Sequence, residues 1–222
     1  SQTPADAPET SQVNAAIARG ITILLERQEG HTKAEWPYEG VYRVRGEIPI
    51  GYRVGGTAIV AMSLIETAGY SNDHARQEAV AKALEFIRSA TREDLMSPEY
   101  DGGYDVRGWG YTYGLAFLLS MKSNNAIPEG KAEDVEDLIR WMIDAIERTA
   151  IHEIGGWNYA RPAGRLTTAP PSPFMTAPTI LALLQARASG YAVAEDALSK
   201  GLRTLERART PVGGVVYSGR SE

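Results

Sequence analysis

The chain contains no cysteine. Disulfides, thiolate zinc sites and cysteine nucleophiles are therefore excluded together. Histidine is scarce: His31, His74 and His152 stand far apart and none has metal-ligand spacing. No metal and no cofactor is expected. Positive charge is not in excess, because 23 Lys+Arg against 28 Asp+Glu leave a formal net charge of -5. That balance offers no basic footprint for nucleic acid and no polybasic patch for anionic lipid. No run of about eighteen apolar residues is present, so no transmembrane segment is expected. The glycines form neither a P-loop, a nucleophile elbow nor a dinucleotide fingerprint; Gly55-Gly56 and Gly102-Gly103 fit none of these spacings.

What remains is ordinary globular material. The 222 residues are 43% hydrophobic and 23% charged, enough for one core of good size. The segment 1–12 is small and polar, with Pro4 and Pro8. One reading makes it a spacer left after signal-peptide removal, in a periplasmic or secreted chain. The other makes it a disordered end of a cytoplasmic protein. Residues 13–222 are expected to form a single domain.

Four segments have one apolar face at helical spacing. They are Val13, Ala16, Ile17, Gly20, Ile21 and Leu24; Ala79, Val80, Ala83, Leu84 and Ile87; Val135, Leu138, Ile139, Met142 and Ile146; and Ala194, Leu198, Leu202 and Leu205. Their other faces carry Arg19, Lys82, Arg140, Asp144 and Arg203, which marks outer helices. Between them, Thr57 to Ala68, Tyr111 to Met121 and Pro178 to Ala188 are apolar nearly all round, the pattern of buried helices. The series Leu25-Glu26-Arg27, Ile87-Arg88, Ile146-Glu147-Arg148 and Leu205-Glu206-Arg207 recurs at steps of 62, 59 and 59 residues. Gly69-Tyr70 and Gly190-Tyr191 close two inner helices, each glycine suited to a left-handed cap. A fixed period with alternating exposed and buried helices predicts an all-α array of outer/inner pairs.

A glycine-aromatic patch follows each outer helix. These are Trp36-Pro37-Tyr38, Arg107-Gly108-Trp109-Gly110-Tyr111, Gly155-Gly156-Trp157-Asn158-Tyr159 and Gly213-Gly214-Val215-Val216-Tyr217. An outer helix ending near Gln28, a Gly-Gly-Trp turn and an apolar inner helix together resemble the terpenoid cyclase and protein prenyltransferase superfamily. Leu24-Leu25-Glu26-Arg27-Gln28 followed by Trp36 is similar to the QW-type repeat of squalene and hopene cyclases, and GGWNY at 155–159 is the best single match. The resemblance covers about residues 10 to 220. It implies an α/α toroid, inner helices ringed by outer ones, of which about seven helices are present, so that a partial ring truncated at the C-terminus is expected. The family's catalytic motifs are missing. No DxDD tetrad exists, and the Asp–Cys and zinc-binding arrangements of related enzymes need a cysteine. The resemblance therefore carries fold, not activity.

The stretch Ser97 to Tyr113 is richest in chemistry. Asp101 and Asp105 are candidate acid and base at a cavity mouth, if burial raises one of them. Arg107, Trp109, Tyr111 and Tyr113 are candidate ligand contacts, their aromatic faces suited to stabilising a cation. Solvated acids and packing aromatics in a structural turn are the simpler account. Trp157, Tyr159 and Arg161 form a second patch, with Arg161 suited to a carboxylate or phosphate group or to a helix-end salt bridge. Ala169-Pro170-Pro171-Ser172-Pro173 predicts an extended loop or rim. VYRVRGEIPIGYRVGG, with Arg43, Arg45, Arg53 and Glu47, predicts a short hairpin or a polar surface loop. His74, after Ser71-Asn72-Asp73, is expected near a helix start.

Three functions stay open at this level. The first is a cavity for an apolar or isoprenoid small molecule. The second is a non-catalytic module bound by a protein partner or by a second chain completing the ring. The third is a polysaccharide lyase or glycosidase, with Trp109, Trp157 and Tyr159 as sugar platforms.

Overall fold

The computed structural model describes residues 9–38, 40, 43, 46–100, 106–158 and 170–217. Among them are seven α-helices: α1 Thr10–Glu26, α2 Ile50–Glu66, α3 His74–Ala90, α4 Arg107–Ser123, α5 Ala132–Arg148, α6 Pro173–Ala188 and α7 Glu195–Arg207. The fold is all-helical, as the periodicity requires. Helix α1 starts inside the segment read as a spacer, where Glu9 and Gln12 form a reciprocal capping box.

The inner helices α2, α4 and α6 lie side by side with α4 in the middle. Each is followed by a short turn and an outer helix packed on it, giving the pairs α2–α3, α4–α5 and α6–α7. Helix α5 buries one stripe, Val135, Leu138, Ile139, Met142 and Ile146, against the core. Helix α4 is buried on most of its circumference, from Trp109 to Met121. Helix α1 departs from the outer pattern: none of its residues is buried, and only its second half, at Ile21, Leu24 and Leu25, packs on the core.

All three inner helices begin earlier than their apolar runs suggest. They start at Ile50, Arg107 and Pro173 instead of Thr57, Tyr111 and Pro178. The segment from Ile50 to Gly56 is thus helical and not part of a hairpin; 41, 42, 44 and 45 lie outside the described residues. Glycine disfavours helix locally by about 1 kcal/mol, but here close packing decides. A Cβ on Gly51 would sit 2.3 Å from the Val106 carbonyl oxygen, and one on Gly55 would sit 2.1 Å from Trp109 Cδ1. These two positions let the first turns of α2 and α4 touch. Pro173, read as the end of a loop, is the first residue of α6, where its missing N–H costs nothing. Arg53 is engaged within the fold: it clasps Glu35 through two hydrogen bonds of 2.7 and 2.8 Å and lies 5.3 Å over Phe86.

The inner-to-outer turns are closed by backbone geometry. Tyr191 N–H donates to the Ala186 carbonyl and Gly190 N–H to that of Arg187, with Gly190 at φ +91°, a Schellman cap. At the end of α2 a side chain replaces that device. The buried Arg76 donates to the carbonyls of Leu64, Thr67 and Ala68 and to the Asp73 carboxylate. Asp73 also caps α3 by accepting from Arg76 N–H, and these bonds hold its carboxyl below the usual range. His74 opens α3, as expected.

The outer-to-inner joints at Trp36 and Trp157 share one design. Each indole N–H donates to the last turn of the preceding outer helix, at Leu24 (2.7 Å) and Ile146 (2.8 Å). Each backbone N–H donates to a threonine of the next inner helix, Thr57 (2.9 Å) and Thr176 (3.0 Å). The second joint is built otherwise. The Arg107–Tyr111 patch is not a turn but the first turns of α4.

Candidate functional site

The parallel inner helices bring their first turns to one end of the array. Tyr52 comes from α2, Trp109 and Tyr113 from α4, and Phe174 from α6. The spacing of Trp109 and Tyr113, one helical turn, keeps both rings on one side of α4. The segment after Trp36 adds Tyr38, and the segment after α7 adds Tyr217. Trp109 is the hub. Its ring centroid lies 4.8 Å from Tyr113, 5.9 Å from Tyr38, 5.9 Å from Tyr52 and 6.1 Å from Phe174. The Tyr38 and Phe174 rings run nearly parallel to it, at 17° and 15°. Phe174 in turn lies 6.3 Å from Tyr217. Beneath the rings, Ile48, Ile59, Val106 and Met175 form an apolar floor.

Burial is graded across this group. Trp109 is 8% exposed, whereas Tyr38, Phe174 and Tyr217 are 47%, 57% and 63% exposed. The Trp109 Nε1 donor is buried and has no hydrogen-bond partner, one of two such side-chain atoms among the described residues. An orphaned buried donor costs about 1–3 kcal/mol. Burial pushes the Tyr113 hydroxyl above its ordinary value, with Tyr38 adding to the effect, so the phenol is neutral at physiological pH. Val106, which leads into α4, holds φ +50°, a strained conformation for a β-branched residue. Next to the rings, Arg27, Glu29, Pro37, Tyr38, Ile59 and Val60 line a cavity of about 410 Å³.

The candidate ligand contacts divide between this site and the core. Trp109 and Tyr113 belong to the aromatic group. Arg107 is 2% exposed; its guanidinium donates to the carbonyls of Ser97 and Tyr100 and lies 5.2 Å over the Tyr100 ring, so it holds the segment before α4. Tyr111 is fully buried, donates to the Met96 carbonyl and meets Trp141 edge-on at 5.6 Å, on the outer-helix side. Trp157 is the buried pin of a joint. Asp101, Asp105, Tyr159 and Arg161 lie outside the described residues. No group of three or more His, Asp or Glu positioned for a metal occurs among the described residues.

Tyr38, Tyr52, Phe174 and Tyr217 are site residues that the sequence did not single out as ligand contacts. Tyr38 and Tyr217 occur in the repeated glycine-aromatic patches, a signal that was present. Tyr52 and Phe174 had none: Tyr52 lies in the stretch read as a hairpin or surface loop, and Phe174 falls between the loop read at 169–173 and the inner helix read from Pro178.

Fold and site together define an all-α repeat protein of paired inner and outer helices, with an aromatic face at one end of its inner layer. No family model matches the chain, and no curated protein or solved structure matches it.

Proposed function

We propose that this protein binds an apolar small molecule of isoprenoid type on the aromatic face of its inner helices, in the manner of a terpenoid-cyclase-like α/α toroid. The observation that supports it is the convergence of Tyr38, Tyr52, Trp109, Tyr113 and Phe174, drawn from four separate segments, around one hub. Trp109 is buried while Tyr38 and Phe174 are about half exposed, so the group presents aromatic surface at this end of the inner layer. Ligand pockets are mostly apolar with few polar groups to fix orientation. The reading is one of binding, and no catalytic step is assigned.

The test is a titration of the purified chain with farnesol and squalene, followed by tryptophan fluorescence and calorimetry, beside oligomers of uronic acid. Saturable binding of the isoprenoids is expected, weakened at least tenfold by Phe174→Ala or Tyr38→Ala with the melting temperature unchanged. Binding of the sugars alone transfers the face to a polysaccharide-active protein. Silence towards both classes ends the proposal.

A further inference from the structure

The aromatic face continues into the cavity beside it. Tyr38, whose ring stacks on Trp109 at 5.9 Å, is also a wall of the cavity of about 410 Å³ that lies between α2 and the segment following α1. Ile59 is shared in the same way, since it belongs to the apolar floor beneath the rings and lines the cavity too. Face and cavity are therefore two compartments of one site. Every residue lining the cavity is among the described residues. Its volume falls within the range of small-molecule pockets, roughly 300–1,000 Å³.

The cavity differs from the face in polarity. Trp36, Pro37, Ile59 and Val60 give it apolar walls, while Arg27 and Glu29 place one charge of each sign on it. Both charged residues are exposed, and neither side chain has an ion-pair or hydrogen-bond partner among the described residues. Their opposite signs set which head group fits. An alcohol hydroxyl accepts from the guanidinium and donates to the carboxylate, so it meets both groups at once. A phosphate or carboxylate gains Arg27 but is repelled by Glu29. It also meets the C-terminal end of α1, where free carbonyls carry about half a negative charge. That helix ends at Glu26 and has no basic residue in its last turn. An ammonium gains Glu29 and is repelled by Arg27. A neutral head that both donates and accepts is opposed by neither side chain.

We propose that the cavity is the head-group compartment of the isoprenoid site and selects an isoprenoid alcohol, its hydroxyl held between Arg27 and Glu29 and its chain running past Ile59 and Tyr38 onto Trp109. The proposal rests on the isoprenoid reading and adds the head group to it. The path for the chain is apolar throughout: beyond Tyr38 the rings of Trp109 and Phe174 follow at steps of 5.9 and 6.1 Å.

The test compares three ligands with the same farnesyl chain, namely farnesol, farnesene and farnesyl diphosphate, by tryptophan fluorescence titration of the purified chain. Farnesol is expected to bind about fivefold tighter than either of the others, the worth of roughly one net hydrogen bond. Arg27→Ala and Glu29→Ala change exposed residues and should leave the melting temperature unchanged. Each should weaken farnesol about three- to fivefold and leave farnesene unaffected. Glu29→Ala should at the same time strengthen farnesyl diphosphate, because it removes the repelling charge. Val60→Trp, which fills the cavity, should bring farnesol down to the affinity of farnesene. Farnesene or the diphosphate binding as tightly as farnesol overturns the proposal, and so does farnesol binding that is indifferent to both Arg27→Ala and Glu29→Ala. In either case binding to the aromatic face, read on Phe174→Ala and Tyr38→Ala, still stands. Silence towards all three ligands ends the proposal together with the isoprenoid reading.

Discussion

Trp36 and Trp157 stand 121 residues apart and make the same two hydrogen bonds, indole to an outer-helix carbonyl and backbone N–H to an inner-helix threonine. Each tryptophan thereby fixes the end of one helix to the side of the next. Thr57 and Thr176 are fully buried. Replacing either by valine keeps the shape and removes the acceptor. Thr57→Val and Thr176→Val are each expected to cost about 1–3 kcal/mol in urea denaturation, the range for an unsatisfied buried donor. The sites share no partner, so the double variant should be additive within about 0.5 kcal/mol.

Glycine to alanine is expected to act with opposite signs at two helical positions. At Gly55 the new methyl meets Trp109, and overpacking of this kind costs about 1–3 kcal/mol. Because Trp109 must move, its fluorescence and the response to farnesol should change as well. At Gly20 in α1 nothing lies within 4 Å of the added atom. There the variant should gain about 0.5–1 kcal/mol from helix propensity. Thermal and urea melts of both variants check the pair, and equal effects would contradict the packing argument.

Arg76 closes α2 by donating to the Leu64 carbonyl in its last turn and to those of Thr67 and Ala68 just after it, while buried to 3% exposure. Arg76→Met should lose at least about 2 kcal/mol, since it strips charged hydrogen bonds from buried acceptors and leaves Asp73 without its partner. Arg76→Lys should not restore the loss, because one ammonium cannot span the positions reached by a planar fork. Equilibrium unfolding of the two variants, with amide exchange at Leu64 to Ala68 as a local readout, decides it.

A pH-dependent contribution comes from Lys122, Glu136 and Tyr191 at the opposite end of the inner layer. Lys122 donates to Glu136 and to the Tyr191 oxygen at 2.7 Å, and Tyr191 donates to Glu136 at 2.9 Å. The bond from Lys122 chiefly holds the Glu136 carboxyl below its ordinary range, and the same bond raises the Lys122 ammonium above its own. Glu136 therefore contributes stability that is complete above the unfolded glutamate value and is lost as pH falls through the lower folded value. Lys122 contributes below the ordinary lysine value, and its share is lost as pH rises through the folded one. Both side chains are about a third exposed, 34% and 30%. Glu136→Gln should then cost about 0.5–1 kcal/mol at pH 7 and nothing near pH 2. Unfolding curves across that range measure the difference.

The aromatic site was only half legible. Trp109 and Tyr113 stood out as candidate ligand contacts in the aromatic-rich stretch before and into the second inner helix. Tyr52 and Phe174 did not, because Gly51 and Gly55 made the first stretch read as a hairpin or loop and the prolines up to Pro173 made the last inner helix read as starting only at Pro178. Arg107 and Tyr111 looked equally suited to a ligand, yet their neighbours take up their donors. Sequence spacing places a residue on a helix; it does not say which side of that helix meets the outer layer.

The chain by itself determined the helix class, the alternation of outer and inner helices and the recurrence of the glycine-aromatic joints. Those properties follow from periodicity, which is local and is written in consecutive residues. Only the tertiary structure decided where the inner helices begin and which rings meet at Trp109. Those depend on contacts between segments far apart in the chain. A glycine that would break an isolated helix is there the residue that lets two helices touch.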